Sequence, residues 1–202
     1  MRFVRFRTDK NEELKGIIDG ACIRQIYGSY LQAFTVTGNT FSLDTAALLP
    51  PVVPQNIICV DKDGSIFAKA PASLAGSGSA LSYSKLYCTP RVAYIVKNRD
   101  HSSLTGVSLF GMSMMLDFAY SYNGFTVLGP CVDTEYTDSF NFNSSVLAHN
   151  MDTEKLKELS ANISFRPGDI IAFALADKER ANGRLSLKYA DVELYAEMKR
   201  AE

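Results

Sequence analysis

The sequence predicts a mainly β protein with few helices, in the α+β class. Many short stretches alternate apolar and polar residues and are separated by glycine, proline, asparagine or aspartate, which is the pattern of strands joined by turns. One stretch, 152–163, has its apolar residues at helical spacing. Strand and helix patterns do not alternate along the chain, so we do not expect a parallel βαβ architecture.

The N-terminal part predicts a small β-rich domain that ends at a proline-rich segment. Asp19 and Gly20 lie between two apolar runs, a strong sequence signal for a β-hairpin. Segment 48–54 contains three prolines, so it cannot be a helix and is expected to be a stiff, extended linker. We therefore predict a small domain at 1–50 and a larger domain at 51–202.

The larger domain contains the remaining predicted strands and the helix. Residues 57–60 form a short, fully apolar run that is typical of a central strand. Longer strands are expected at 85–97 and 107–120, and alternating residues at 185–194 predict the closing strands. Asp152 is suited to cap the N-terminus of the helix, because its carboxylate can accept a bond from a free backbone N–H.

Asp117 is notable because it lies inside an apolar strand, between Leu116 and Phe118. A buried carboxylate without a cation or several donors costs several kcal/mol, on the order of a protein's whole stability. The group must therefore be hydrogen-bonded, protonated, or bound to a metal or substrate. The residues alone leave a structural and a functional role open, and the structural role is the commoner outcome for such a residue.

Composition argues against several classes of function. The 21 basic and 22 acidic residues give a net charge of −1, so the basic surface that nucleic acid or an anionic membrane requires is not expected. The four cysteines are scattered without metal-ligand or redox spacing, which favours reduced, packed thiols. The charged N-terminus does not resemble a signal peptide, and no apolar run is long enough to span a membrane. We therefore expect a soluble, cytoplasmic protein.

Other polar residues are interpreted as structural. Asp61 and Asp63 resemble the opening of a calcium loop, but the later ligands are missing, so turn formation is the better account. Of the two histidines, His101 lies in a polar stretch and His149 lies just before the helix; neither has an evident catalytic partner, and both are expected in exposed loops.

Four segments follow one another in an order that resembles a known family. They are 48–60, the Phe-Ala-Lys-Ala-Pro-Ala-Ser-Leu-Ala-Gly-Ser-Gly segment at 67–78, Leu-Gly-Pro at 128–130, and Pro-Gly-Asp-Ile-Ile at 167–171. Together they resemble the fumarylacetoacetate hydrolase (FAH) family, nearest to its 2-hydroxyhepta-2,4-diene-1,7-dioate isomerase branch. The resemblance implies a mixed β-roll domain behind a small N-terminal domain, a homodimer, and a divalent metal, commonly magnesium, that binds the oxo-acid end of the substrate.

The expected metal site departs from the family pattern. Asp117 falls where the resemblance places an aspartate ligand, but the positions of the family's Glu-x-Glu pair fall on Thr89 and Arg91. Replacing two glutamates by threonine and arginine changes the local charge by about three units, which would repel a divalent cation. An ion pair between Arg91 and Asp117 would satisfy the carboxylate instead. The family's lid histidine and loop lysine also have no counterpart. We therefore expect no metal cofactor.

These observations lead to one principal functional hypothesis. It is a metal-independent FAH-fold enzyme acting on an enolisable β-dicarbonyl, 2-oxo-acid or polyene small molecule, by isomerisation, decarboxylation or cyclisation, as in specialised biosynthesis. The candidate catalytic residues are Asp117, Arg91 and Lys69. The candidate substrate-binding residues are Tyr87, Thr89, Tyr94, Tyr120 and Met114.

Two alternatives stay open. The first is a non-catalytic family member, either a subunit for an active relative or a ligand-binding pseudoenzyme, because the fold segments are kept while catalytic groups are missing. The second, ranked last, is a conventional magnesium-dependent hydrolase or decarboxylase with unrecognised ligands. A small-molecule substrate and a homodimer are the expected partners in the principal hypothesis.

Overall fold

A computed structural model describes residues 1–82, 86–100, 102–118 and 125–199. Strands dominate this part of the chain, and it contains one α-helix, which confirms the predicted mainly β class. The N-terminal strands are β1 (Arg2–Arg7), β2 (Glu13–Asp19), β3 (Cys22–Gly28), β4 (Phe34–Ser42) and β5 (Ala47–Leu49).

The remaining elements follow in chain order. They are β6 (Ile57–Val60), β7 (Ile66–Lys69), β8 (Leu74–Ala75), β9 (Ser79–Ser82), β10 (Leu86–Arg99), β11 (Val107–Phe118), β12 (Thr126–Asp133), β13 (Ser139–Phe142), β14 (Ser145–Ala148), α1 (Thr153–Asn162), β15 (Ile170–Ala174), β16 (Glu179–Ala181), β17 (Arg184–Tyr189) and β18 (Val192–Lys199). A short 3₁₀ turn, Pro71–Ser73, precedes β8.

Two mixed sheets are formed by these strands. The larger runs in the order β4-β3-β2-β1-β12-β11-β10-β15-β6-β7, with β5, β8 and β16 pairing alongside β1, β12 and β10. The smaller runs in the order β14-β13-β17-β18-β9. Most neighbours are antiparallel, but β15 with β6, β12 with β8 and β18 with β9 are parallel. Long-range pairing therefore brings residues from the middle and the end of the chain onto one surface.

The predicted hairpin and linker are both present. Strands β2 and β3 pair up to Asp19 and Cys22, and Gly20 has a positive φ of 58° in the turn between them. The proline-rich segment is not helical, and the Tyr30 hydroxyl donates a hydrogen bond to the Pro51 carbonyl. The N-terminal strands continue the larger sheet through β1 and β12, where Phe3 is opposite Val132. The division of the chain at residue 50 stays a prediction.

The predicted helix begins and ends close to the expected residues. The Asp152 carboxylate accepts a bond from the Lys155 backbone N–H at 2.8 Å, and Leu156 and Leu159 are buried. Because the cap satisfies an N–H that has no partner within the helix, it defines where the helix starts. Within the described ranges, no helix is long and apolar enough to cross a membrane.

A buried carboxylate joins the proline-rich segment to β15. Asp169 accepts bonds from the backbone N–H groups of Gln55, Asn56 and Arg166 and from the Asn56 side-chain amide, at 2.8–2.9 Å. Four donors compensate for its removal from water, because burying a polar group is costly only when it lacks hydrogen-bond partners. The contact holds the entry to β6 against the entry to β15.

Strand β10 separates two regions of the hydrophobic core. Val92 and Tyr94 face one region, whereas Ala93 and Ile95 face the other. This division follows from strand geometry, since successive side chains point to opposite faces of a sheet. The same alternation determines which residues of β10 and β11 can meet at a site.

Candidate functional site

A cluster of three buried charged side chains lies where the larger sheet brings β7, β10 and β11 together. Arg91 Nε donates to Asp117 Oδ2 at 2.7 Å, and Lys69 Nζ donates to Asp117 Oδ1. Arg91, Lys69 and Asp117 are exposed by 1%, 4% and 5%. The structure therefore brings together the three candidate catalytic residues of the sequence analysis. Each oxygen of the buried carboxylate is bound by a cationic side chain.

Strand register explains the meeting of Arg91 and Asp117. In the antiparallel β10–β11 pair, Thr89 is opposite Asp117 and Arg91 is opposite Met115. Residues two positions apart share a face, so Arg91 and Asp117 are diagonal neighbours across the pair. The guanidinium group is long enough to span this diagonal and donate from Nε.

Lys69 also holds backbone groups that flank its carboxylate partner. Its Nζ donates to the Phe118 carbonyl at 2.7 Å and lies 3.5 Å from the Phe125 carbonyl. The Phe118 N–H donates to the same Phe125 carbonyl at 3.1 Å. With Asp117, these two carbonyls account for the three protons of the ammonium group. Lys69 is therefore fully engaged within the protein.

Arg91 makes contacts with β6 and the turn that follows it. Its Nη1 donates to the Val60 carbonyl at 2.9 Å, and its Nη2 donates to Asp61 Oδ1 at 2.5 Å. Its Cζ lies 5.2 Å from the centroid of the Phe67 ring. Burial lowers the pKa of Arg91, but the nearby anionic groups Asp117 and Asp61 more than offset this effect, so its pKa is raised above the ordinary value.

A cavity of about 230 Å³ opens beside this cluster. The polar residues in its lining include Asp61, Tyr87, Thr89, Arg91, Asp117 and Lys178. An adjoining cavity of about 430 Å³ shares Asp61, Thr89 and Lys178 with it. We call these two neighbouring cavities together the Arg91 cleft, with the buried charges beside its inner cavity of about 230 Å³.

The other predicted site residues divide between the two faces of the sheet. Tyr87 and Thr89 line the Arg91 cleft, because they lie four and two residues before Arg91 on β10 and so share its face. Tyr94 and Met114 are buried in the core region on the opposite face, and so do not line the cleft. Tyr94 packs there against Phe173, with ring centroids 6.0 Å apart. Tyr120, like His101, lies outside the described residues.

Sequence reasoning missed Asp61, Phe67 and Lys178 as lining residues. The turn expected at Asp61 is present, since its N–H donates to the Ser65 carbonyl at 2.9 Å. The Asp61 side chain, however, binds Arg91 rather than its own turn. Its position directly after the apolar strand β6 could have indicated a site residue from the sequence, because polar residues in loops at strand ends commonly form binding sites.

The residues at the expected metal position do not fit a divalent ion. A magnesium or manganese site needs several free oxygen ligands, whereas Thr89 and Arg91 flank a carboxylate that already binds two cations. Over the described ranges, no group of three or more histidine, cysteine, aspartate or glutamate side chains is placed to hold a metal ion. We therefore assign no catalytic step to a metal at this position.

A second group of ring side chains lies on the opposite face of β10. The ring centroid of Tyr94 lies 6.0 Å from those of Tyr136 and His149, beside a separate cavity of about 360 Å³. His149 Nε2 is buried and has no hydrogen-bond partner within the described part of the chain. Burial lowers the pKa of His149, and Lys62 lowers it further, while Asp152 acts in the opposite direction. The side chain expected in an exposed loop is thus partly enclosed by aromatic rings.

The fold and the N-terminal sequence can be compared with known proteins. The family model Rv2993c-like, N-terminal, matches residues 1–51. No curated protein sequence matches the chain. Solved structures match it over nearly its whole length, at identities too low to show more than the fold.

Three of these structures illustrate the similarity. A 2-hydroxyhepta-2,4-diene-1,7-dioate isomerase from Mycobacterium marinum has a TM-score of 0.83 and 18% identity, covering 99% of this chain and 98% of its own. A fumarylacetoacetate hydrolase from Exiguobacterium antarcticum has a TM-score of 0.79 and 18% identity, with full coverage of both chains. A maleylpyruvate hydrolase from Sphingobium sp. SYK-6, solved with manganese(II) and pyruvate, has a TM-score of 0.76 and 17% identity, also with full coverage. The chain therefore has the FAH fold, which these isomerases and hydrolases share.

Proposed function

We propose that this protein is a metal-independent FAH-fold enzyme that acts on a small enolisable oxo acid or β-dicarbonyl compound. The proposed reaction class is isomerisation, decarboxylation or cyclisation. The observation that carries the proposal is the Lys69–Asp117–Arg91 cluster, in which two cationic side chains bind the carboxylate that the family resemblance assigns to a metal. A cleft with protein cations at this position suits an anionic substrate without an ion between them.

The lining of the Arg91 cleft supports a small polar ligand. The hydroxyl groups of Tyr87 and Thr89 and the ammonium group of Lys178 line it, and none of them is hydrogen-bonded to another described residue. These are donors of the kind that hold a carboxylate or a developing enolate oxygen. At about 230 Å³, the inner cavity is smaller than the usual site for a drug-sized ligand, so it suits a compact substrate.

The names of the structural neighbours support the same substrate class. One is an isomerase of an unsaturated hydroxy dioate, and another is a maleylpyruvate hydrolase solved with pyruvate. Both names describe small acids with oxo or enol groups. The proposal extends this class to the present chain, and it departs from the manganese-containing neighbour in assigning no ion to the cleft.

A thermal-shift experiment tests the proposal. The protein is melted with pyruvate, 2-oxobutyrate, oxaloacetate and acetopyruvate, first with EDTA and then with magnesium or manganese. We expect at least one acid to raise the melting temperature in EDTA, because a ligand that binds the native state stabilises it, and we expect no further rise with either metal. A melting temperature that responds to the metals, or to the acids only when a metal is present, would contradict the proposal.

Two matched variants locate the binding. Tyr87→Phe removes a hydroxyl from the Arg91 cleft, whereas Tyr94→Phe removes one from the opposite face of the same strand. We expect Tyr87→Phe to weaken binding of the acid by about tenfold, the loss of roughly one hydrogen bond, and Tyr94→Phe to leave it unchanged. Equal effects of the two substitutions would place the ligand elsewhere.

A non-catalytic role is the second candidate, and one observation favours it. The three protons of Lys69 are engaged within the protein, and each nitrogen of the Arg91 guanidinium donates to a protein oxygen. Donors that are already hydrogen-bonded within the protein stabilise the fold and are less available to a substrate. Binding of an acid without any turnover or proton exchange would support this candidate. Homodimer formation and a cytoplasmic location stay proposals in either case.

A further inference from the structure

Asp61 differs from Asp117 in how its carboxylate is used. Arg91 Nη2 donates to Asp61 Oδ1 at 2.5 Å, while no described residue donates a hydrogen bond to Asp61 Oδ2. The Asp61 side chain is 39% exposed, whereas that of Asp117 is 5% exposed. Asp61 also lines both cavities of the Arg91 cleft. It therefore has one oxygen held by the protein and one oxygen free to contact a ligand.

The position of Asp61 is held by its backbone as well as by Arg91. It directly follows β6, which is buried between β15 and β7. Its N–H donates to the Ser65 carbonyl at 2.9 Å, and its own carbonyl accepts from the Gly64 N–H at 3.0 Å. A carboxylate held by a turn, a buried strand and a guanidinium is preorganised, which is what proton transfer at a defined carbon requires.

The other groups near the cleft that could accept a proton are less well placed than Asp61. Asp117, the second carboxylate that lines the inner cavity, binds a cation through each oxygen. Asp63 and Asp177 line only the adjoining cavity of about 430 Å³, and Asp63 Oδ1 accepts from the Ser65 N–H and hydroxyl within its own turn. His149 lies in the ring cluster on the other face of β10. Of the two carboxylates lining the inner cavity, Asp61 has the oxygen that can accept a proton from a ligand.

We propose that Asp61 is the general base of the Arg91 cleft and that Arg91 is its positioning residue, an inference that rests on the proposed enzymatic function. Asp61 Oδ2 takes a proton from the carbon next to the carbonyl group of the substrate. The electrons of that C–H bond form a carbon–carbon double bond, and the carbonyl π electrons move to the oxygen, giving an enolate. Tyr87, Thr89 and Lys178 supply the donors for this oxygen. The proton on Asp61 then returns to the same carbon or to a conjugated carbon, so the isomerisation is balanced without a co-reactant.

Deuterium exchange tests this assignment without knowledge of the natural substrate. The probes are 2-oxobutyrate and oxaloacetate in D₂O with EDTA, and proton NMR follows the loss of the C3 protons. We expect the wild-type protein to accelerate exchange of at least one probe over buffer. Asp61→Asn should slow that exchange by about 100-fold, which is typical for loss of a general base, while binding of the probe persists in thermal shift. The substituted amide oxygen can still accept from Arg91, so the fold should be kept.

Asp63→Asn is the matched control, because it makes the same change of charge in the same turn at a residue that does not line the inner cavity and bonds only to Ser65 in the described structure. We expect its exchange rate to stay within about threefold of wild type, since the carboxylate that takes the proton is untouched. Asp61→Glu gives a second measurement if Asp61→Asn does not fold. It keeps the charge but displaces the carboxylate by one methylene group, so exchange should fall by at least about tenfold.

The outcomes separate the two proposals. No exchange by the wild-type protein with either probe would count against the proposed enzymatic function and remove this inference with it. If the wild-type protein exchanges the probe and folded Asp61→Asn does so equally fast, the role of Asp61 is refuted while the enzymatic function stands. If Asp61→Asn does not fold, an unchanged exchange rate in Asp61→Glu has the same meaning. Loss of exchange in Asp63→Asn to the same extent would also refute it, because the effect would then follow the charge of the turn.

Discussion

Arg91 Nε lies 2.7 Å from Asp117 Oδ2, and both side chains are almost completely buried on adjacent antiparallel strands. The carboxylate is thus compensated by an internal cation, with Lys69 as a second partner. Removing one member of such a buried group leaves a charge without a partner, which is costly in a medium that solvates ions poorly. The predictions on stability and on metal binding follow from this relationship.

Substitution of Arg91 should strongly destabilise the fold. Arg91→Ala leaves Asp117 with one cation and removes the donors to Val60 and Asp61. We expect a loss of about 3–5 kcal/mol in the free energy of unfolding, measured by urea denaturation. Arg24→Ala, which breaks an exposed ion pair with Asp19, is the control and should cost no more than about 1 kcal/mol. Similar small losses of stability in both variants would show that the buried ion pair contributes little to the stability of the fold.

Restoring acidic residues on β10 should create a metal site. Thr89→Glu with Arg91→Glu removes a guanidinium and adds two carboxylates on the strand that faces Asp117. We expect manganese to raise the melting temperature of this double variant and to leave that of the wild type unchanged, because oxygen ligands then replace a repelling cation. The single variant Arg91→Glu should respond less than the double variant. A manganese response in the wild type that matches the double variant would show that the cations do not exclude the ion.

Asp169 should be essential to the junction between β6 and β15. Asp169→Ala leaves the backbone N–H groups of Gln55, Asn56 and Arg166 without their acceptor. We expect a loss of at least about 2 kcal/mol in the free energy of unfolding, since buried unpaired donors are penalised. Asp177→Ala, at an exposed position, is the comparison and should change stability little. A loss of comparable size at Asp177 would show that the hydrogen bonds of Asp169 are not the cause.

His149 should make the fold less stable in mild acid. Burial lowers the pKa of His149 below its ordinary value of 6.5, so the unfolded chain takes up a proton at a higher pH than the folded chain. The stabilisation is fully present above pH 6.5 and is lost as the pH falls towards the lowered pKa. The slope from this group is at most about 1.4 kcal/mol per pH unit.

The measurement is urea denaturation of the wild type and of His149→Gln at several pH values between about 7 and 5, the range in which an ordinary histidine titrates. The variant should lose less stability than the wild type over this range. The comparison subtracts the contributions of carboxylates, which are the same in both proteins. Parallel pH profiles for the two proteins would contradict the lowered pKa.

The sequence by itself determined the strand-rich class, the Asp19-Gly20 hairpin and the helix capped by Asp152. These features depend on periodicity and turn chemistry within a few residues of each other, which can be seen without knowledge of the rest of the fold. The need of Asp117 for a partner was also evident from the sequence, because a carboxylate within an apolar strand must be compensated wherever that strand lies.

The Arg91–Asp117 pair was expected from the family resemblance, but tertiary structure alone decided that Lys69 joins it and which faces line the cleft. Lys69 is 48 residues away from Asp117 in the chain, and Asp61 is 30 residues from Arg91, so their contacts depend on which strands pair. Alternation along β10 already puts Tyr94, three residues from Arg91, on the opposite face, but only the fold shows which face borders a cleft and which borders the core. Composition carries no such information, since pairing and register result from the packing of the whole sheet.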